Sequence, residues 1–192
     1  MNPIKFLLTI AHILLPALAL QARVGETPAQ CDERYGKPTF AQKKGDLESR
    51  FYLLSGKKIQ VTFQASEAVI EVISVGPQRI LGHKQAEQFS SEMGGFYLGL
   101  LSGAYGFTDA QLAALANMKR VAHNKMNSGT VDNGKLRGGC SFITSDDQST
   151  IKFFAVIAKY PDSFDSTRVM DFQDEARVLE GKQREKDRAS GF

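Results

Sequence analysis

The chain has 192 residues, with 24 Lys and Arg against 21 Asp and Glu and a formal net charge of +3. Hydrophobic residues make up 42% and charged residues 23%, with 17 Gly, 6 Pro, 2 Cys and no Trp. These values exclude a collagen-like repeat, a long coiled coil, a disulfide-dense scaffold and wholesale disorder, and so small a charge does not hold nucleic acid by bulk electrostatics.

The first segment reads as an export leader. Lys5 gives a short positive region, Phe6 to Leu20 carries no charge, and small residues follow at Ala17-Leu18-Ala19 and Leu20-Gln21-Ala22. This pattern predicts a signal peptide over residues 1–22, cleaved near Ala19 or Ala22. A membrane span needs about 20 apolar residues; this run is shorter and holds His12 and Pro16. No later stretch is long enough to span a bilayer. The mature chain is therefore expected in the periplasm or outside the cell, without a transmembrane segment. No cysteine stands at the cleavage site to carry a lipid anchor.

Residues 23–76 form the first expected unit. Thr27 as N-cap, Pro28 at the first helical position and Gln30 three residues after the cap predict a short helix, which Gly36 and Pro38 end. Strands are predicted over Glu48–Leu54, Lys57–Gln64 and Ala68–Ser74. Ile59, Val61 and Phe63 share one face of the second. In the third, Ile70 and Val72 oppose Val69, Glu71 and Ile73. Tight turns at Ser55-Gly56 and Ala65-Ser66-Glu67 join these strands into an antiparallel meander with one wet face, closed by Gly76-Pro77.

Residues 77–172 form the second. His83 to Met93 reads as a polar helix. Gly94 to Phe107 is apolar yet carries Gly94, Gly95, Gly99, Gly103 and Gly106, and reads as core, loop or docking face. Thr108 and Gln111 repeat the capping box, with Phe107 and Leu112 placed as a hydrophobic staple. The helix that follows is expected to run to about Asn124, with Leu112, Leu115, Met118 and Ala122 on one face. Asn127 to Gly139 reads as a loop. Cys140–Thr144 and Thr150–Tyr160 read as strands, the latter central because Phe153 to Ala158 is apolar on both faces. Thr167 to Phe172 is a candidate last strand. Residues 173–192 are a charged tail, helical or disordered, with Glu180 and Arg184 four apart. The expected fold class is α+β: a short helix on an antiparallel meander, followed by helices and a second antiparallel sheet region.

The run Gly25, Thr27, Cys31, Tyr35, Gly36, Pro38 resembles the opening helix of the SmpA/OmlA/BamE-type small outer-membrane lipoproteins. The strands Phe51–Leu54, Ile59–Gln64 and Ala68–Ile73 are similar in kind to that family's strands. The same unit occurs in the β-lactamase inhibitor protein, and the whole chain resembles small, uncharacterised secreted bacterial proteins. The resemblance implies a non-enzymatic, protein-binding module outside the cytoplasm.

Candidate chemistry is sparse. Export and an even cysteine count permit a Cys31–Cys140 disulfide, worth about 4.7 kcal/mol in the chain-entropy view; the alternative for Cys31 is a small core hydrophobe. Cys140 with His123 is the least unfavourable catalytic pair for a secreted enzyme. Yet Cys140 follows Gly138-Gly139 at a strand start, where nothing lowers its pKa. No metal-ligand spacing and no phosphate-binding loop occur, so no cofactor is expected. Gly95, Gly99 and Gly103 recur every four residues beside Phe96 and Tyr97, and on a helix they make a smooth groove. Lys119 and Arg120 add a mild basic bias. These seven residues are the candidate interaction surface. The leading expectation is a non-catalytic binding or envelope-associated module with an extracytoplasmic protein or envelope component as partner.

Overall fold

The computed structural model describes residues 24–116, 126–145 and 147–159. The expected leader, the expected helix beyond Ala116 with Met118 and Ala122, Lys119, Arg120, His123, the strand over 167–172 and the tail 173–192 lie outside these residues.

Both capping boxes close. At α1 (Pro28–Tyr35) the Thr27 hydroxyl accepts the Gln30 amide at 3.4 Å, and the Gln30 side chain accepts the Thr27 amide at 2.9 Å. Cys31 and Tyr35 are its buried residues, and Gly36 ends it. The second helix, α2, spans His83–Tyr105 and ends at Gly106, whose φ of 68° favours a residue without a Cβ. The Phe107 amide then bonds back to the Leu101 carbonyl at 3.0 Å. Thr108 and Gln111 repeat the box at α3 (Asp109–Ala116), and Phe107 and Leu112 are both buried in one cluster, as a staple requires.

Among the described residues seven strands complete the order: β1 (Phe40–Lys44), β2 (Leu47–Leu54), β3 (Lys57–Gln64), β4 (Glu67–Arg79), β5 (Met126–Asp132), β6 (Leu136–Thr144) and β7 (Thr150–Lys159). They make one sheet, ordered β1-β2-β3-β4-β7-β6-β5, with every neighbouring pair antiparallel. This overturns the expected layout of a meander followed by helices and a second sheet region. β7 pairs directly with β4, from Ile70 opposite Ala158 to Val75 opposite Phe153, so the later strands extend the first meander. β4 and β6 flank β7 and make it an interior strand, in keeping with its doubly apolar centre.

Cross-strand register sets the helical face. One row runs Tyr52, Ile59, Ile73, Ala155, Cys140. The next runs Arg50, Val61, Glu71, Ile157, Gly138. α1 packs where Tyr52, Ile59, Val61 and Phe63 lie, whereas α2 and α3 pack over Ile73, Phe153, Ala155, Ile157 and Phe142.

Three local expectations change. The meander has no wet face at its centre: Ser49, Gln60, Thr62, Ile70 and Val72, on the face opposite the helices, are also buried, and the Ser49 and Thr62 hydroxyls pair at 2.8 Å. A bulge between Thr62 and Phe63 shifts the register opposite β4, and Val69 joins Ile70, Val72 and Ala158 instead of siding with Glu71 and Ile73. The stretch from Asn127 to Gly139 is a hairpin rather than a loop, because Asn133 Oδ1 accepts the amides of Lys135 and Leu136 at 3.1 and 2.9 Å and turns the chain there.

Candidate functional site

The glycine-rich segment is the second half of α2. On its inner side, Ala86, Phe89, Tyr97, Leu100, Leu101 and Tyr105 are buried against the sheet. The outer side is exposed along Lys84, Gln88, Glu92, Gly95, Gly99, Ser102 and Gly103. It is polar for two turns and then almost without side chains. A Cβ placed at Gly95 or Gly99 would meet nothing within 4 Å, so nothing within the described fold requires glycine there. Two such glycines weaken a helix by roughly 2 kcal/mol relative to alanine. The helix is held instead by its buried stripe.

The other residues expected on this surface divide. Phe96 is half-buried on the flank of the strip, with Lys57 Nζ 5.1 Å from its ring centroid. Tyr97 is not a surface residue: it is 1% exposed, and its hydroxyl donates to the Val156 carbonyl at 2.8 Å. Gly138 makes that reach feasible, since a Cβ there would stand 2.9 Å from the Tyr97 oxygen. Helical spacing puts position 97 two residues from Gly95 and Gly99, on the opposite side of the helix from the strip.

A second cluster was hidden in the sequence. Glu71 lies mid-β4 on the helical face and is 1% exposed. Tyr35 of α1 donates to its Oε1 at 2.6 Å, and Tyr105 of α2 donates to its Oε2. The Tyr105 oxygen also accepts the Val24 amide at 3.2 Å. Beyond Val24, the Gly25 amide bonds the Ala68 carbonyl and the Ala68 amide bonds the Glu26 carbonyl, each at 2.7 Å. One carboxyl thus joins the N-terminal arm, two helices and the sheet. Burial pushes its pKa from 4.5 up to about 7, against the opposing pull of the Tyr105 and Tyr35 hydroxyls. Glutamate in a strand ordinarily marks the solvent face, so the sequence carried no local signal for this cluster.

α1 is further pinned at its edge. Arg50 bonds Asp32 at 2.5 Å and Glu48 at 2.6 Å, and the Tyr52 hydroxyl donates to Asp32 at 2.8 Å. Arg34 bonds Glu26 at 2.5 Å. These partly exposed pairs fix geometry more than they add stability.

The thiols are apart. Cys31 lies in the cluster around Ile59 and Val61, and Cys140 in the cluster around Phe153 and Ala155; both are thiols rather than a disulfide. Register puts Cys140 three strands from Ile59, about 14 Å at the usual strand spacing, whereas a disulfide needs Cα atoms within about 7 Å. Burial pushes both thiols up to about 12, with Glu26 adding to the effect at Cys31. A thiol held there is not an activated nucleophile at neutral pH. Among the described residues no group of three or more His, Cys, Asp or Glu is disposed to hold a metal ion. A shallow cleft of about 370 Å³ between the end of β4 and the start of α2 is lined by Gln78, Arg79, Leu81, Gln85, Gln88, Phe89 and Glu92. No described helix is long and apolar enough to cross a membrane.

No protein family and no curated protein sequence matches the chain. A cysteine-rich secretory protein from Staphylococcus aureus subsp. aureus Mu50 is similar in structure at 10% identity and a TM-score of 0.35, over 70% of this chain and 44% of that one. The chain thus spans less than half of that protein, and a likeness at this level carries nothing further.

Proposed function

We propose that the chain is an exported, non-catalytic binding module that docks a helix of an extracytoplasmic or envelope protein along the Gly95-Gly99-Gly103 strip of α2. The observation that carries this reading is the strip itself. It lies on the outer side of a 23-residue helix, where Gly95, Gly99 and Gly103 are exposed and, at Gly95 and Gly99, the described fold leaves space for side chains that the sequence does not supply. Glycine at four-residue spacing lets a second helix approach until backbones touch, with Phe96 as an apolar rim. The leader pattern over residues 1–22 and the resemblance to small outer-membrane lipoproteins agree with a partner outside the cytoplasm. The buried, high-pKa thiols supply no nucleophile to favour the enzyme reading built on Cys140 and His123.

The test places a photo-crosslinking residue at Ser102 in the chain expressed with its leader in the host. One discrete adduct that disappears in Gly99→Leu supports docking on the strip. An adduct unchanged by Gly99→Leu, or none in either protein, overturns it. N-terminal sequencing of the extracytoplasmic fraction tests export: a start at Leu20 or Arg23 is expected, and an intact leader on a chain kept in the cytoplasm contradicts it.

A further inference from the structure

The Glu71 cluster has a use that docking on α2 does not need. Tyr35 of α1 and Tyr105 of α2 meet β4 at the Glu71 carboxylate, and the arm joins them through the Val24 amide on the Tyr105 oxygen. Around it stand Tyr35, Cys31 and Arg34 from α1, Glu26 from the arm, Tyr105 and Tyr97 from α2, and Arg50 two positions along the same cross-strand row. Arg34 is already paired with Glu26, so hydroxyls alone face the carboxylate directly.

A buried ion held only by hydroxyls is relieved by water. The elements above it differ in how easily they move to admit water. α2 buries seven residues, whereas α1 buries Cys31 and Tyr35 and is otherwise tied to β2 through the partly exposed Asp32, bonded by Arg50 and Tyr52. The arm adds two backbone bonds to Ala68. We propose that residues 24–35 form a proton-dependent latch, closed over β3 and β4 when Glu71 is protonated and lifted when Glu71 is ionised. The direction agrees with the raised carboxyl pKa, because the open state, with water at the carboxylate, holds the proton less tightly. Lifting would uncover Tyr52, Ile59, Val61 and Phe63 together with the Cys31 thiol.

The two cysteines make this measurable in the full chain. Cys31 is under the latch, and Cys140 is in the other cluster under α2. Alkylation by iodoacetamide from pH 5 to 8.5, read site by site by mass spectrometry, gives a rate ratio of Cys31 to Cys140 in which the common pH dependence of thiol chemistry cancels. The ratio should rise by up to about tenfold per pH unit and level off above about pH 7. Glu71→Gln should make it flat. Tyr105→Phe removes one donor to the carboxylate and should move the plateau to higher pH. A flat wild-type ratio, or an equal rise in Glu71→Gln, overturns the latch. Should Glu71→Gln fail to fold, a plateau unmoved in Tyr105→Phe overturns it as well.

Discussion

Alanine at Gly95 and Gly99 should make the protein more stable. Both positions lie inside α2, both are exposed, and a methyl at either meets nothing within 4 Å. Each replacement removes the glycine penalty of about 0.8–1.0 kcal/mol in a helix interior. The two methyls stand one turn apart on open surface and share no partner, so their effects should add to about 2 kcal/mol. For a chain of this size that corresponds to a rise of roughly 4–8 °C in Tm. The assay is urea and thermal unfolding followed by far-UV circular dichroism, since the chain has no Trp to report by fluorescence. The denaturation midpoint should rise with an unchanged slope. A double variant that is equally or less stable would refute the reasoning, because the glycines would then serve a bend or close packing within the chain and not an outer surface.

Three further outcomes follow from the same geometry. Gly138→Ala should act in the opposite sense, costing about 1–3 kcal/mol, because its Cβ would stand 2.9 Å from the Tyr97 oxygen and 3.1 Å from Leu101 Cδ2; unfolding midpoints equal to wild type would contradict the close contact. Glu71 should make stability fall with rising pH. Its folded pKa is raised from 4.5 to about 7, so its contribution is full below about 4.5 and lost by about 7, a change of roughly 3 kcal/mol. Glu71→Gln should remove that slope from a series of urea midpoints taken between pH 4.5 and 7.5, and a slope that survives the substitution would be inconsistent with it. Finally, denatured, non-reduced protein should titrate with two thiols per chain; none would restore the Cys31–Cys140 disulfide.

Punctuation was the most legible part of the sequence. Thr27 with Gln30 and Thr108 with Gln111 announce their helices locally, and the bonds that form are those the residue types dictate. β3 was legible from its strict alternation and β7 from its continuous apolar run. The helical nature of residues 94–105 was not, since glycine argues against helix within its own window and the opposing term is burial of Tyr97, Leu100 and Leu101 against a sheet from distant sequence. Asn133-Gly134 is a hairpin signal set inside a polar stretch, where flanking alternation is weak. The strand Phe40–Lys44 has weak alternation and stands at the sheet edge, where pairing with β2 is enough to order it. Strand order was out of reach: nothing in Ala68–Ser74 or Phe153–Ala158 specifies that each should choose the other. The Glu71 cluster was equally hidden, because Tyr35 and Tyr105 lie 36 and 34 residues away and meet it only after both helices have docked.

The most direct measurement of the docking claim is the cross-linking yield from Ser102 in the wild type and in Gly99→Leu, with folding of both checked by circular dichroism. Wild type should give one discrete adduct, and Gly99→Leu should be folded, at least as stable, and without it. Equal yields from the two folded proteins would contradict the assignment of the glycine strip as the surface that binds.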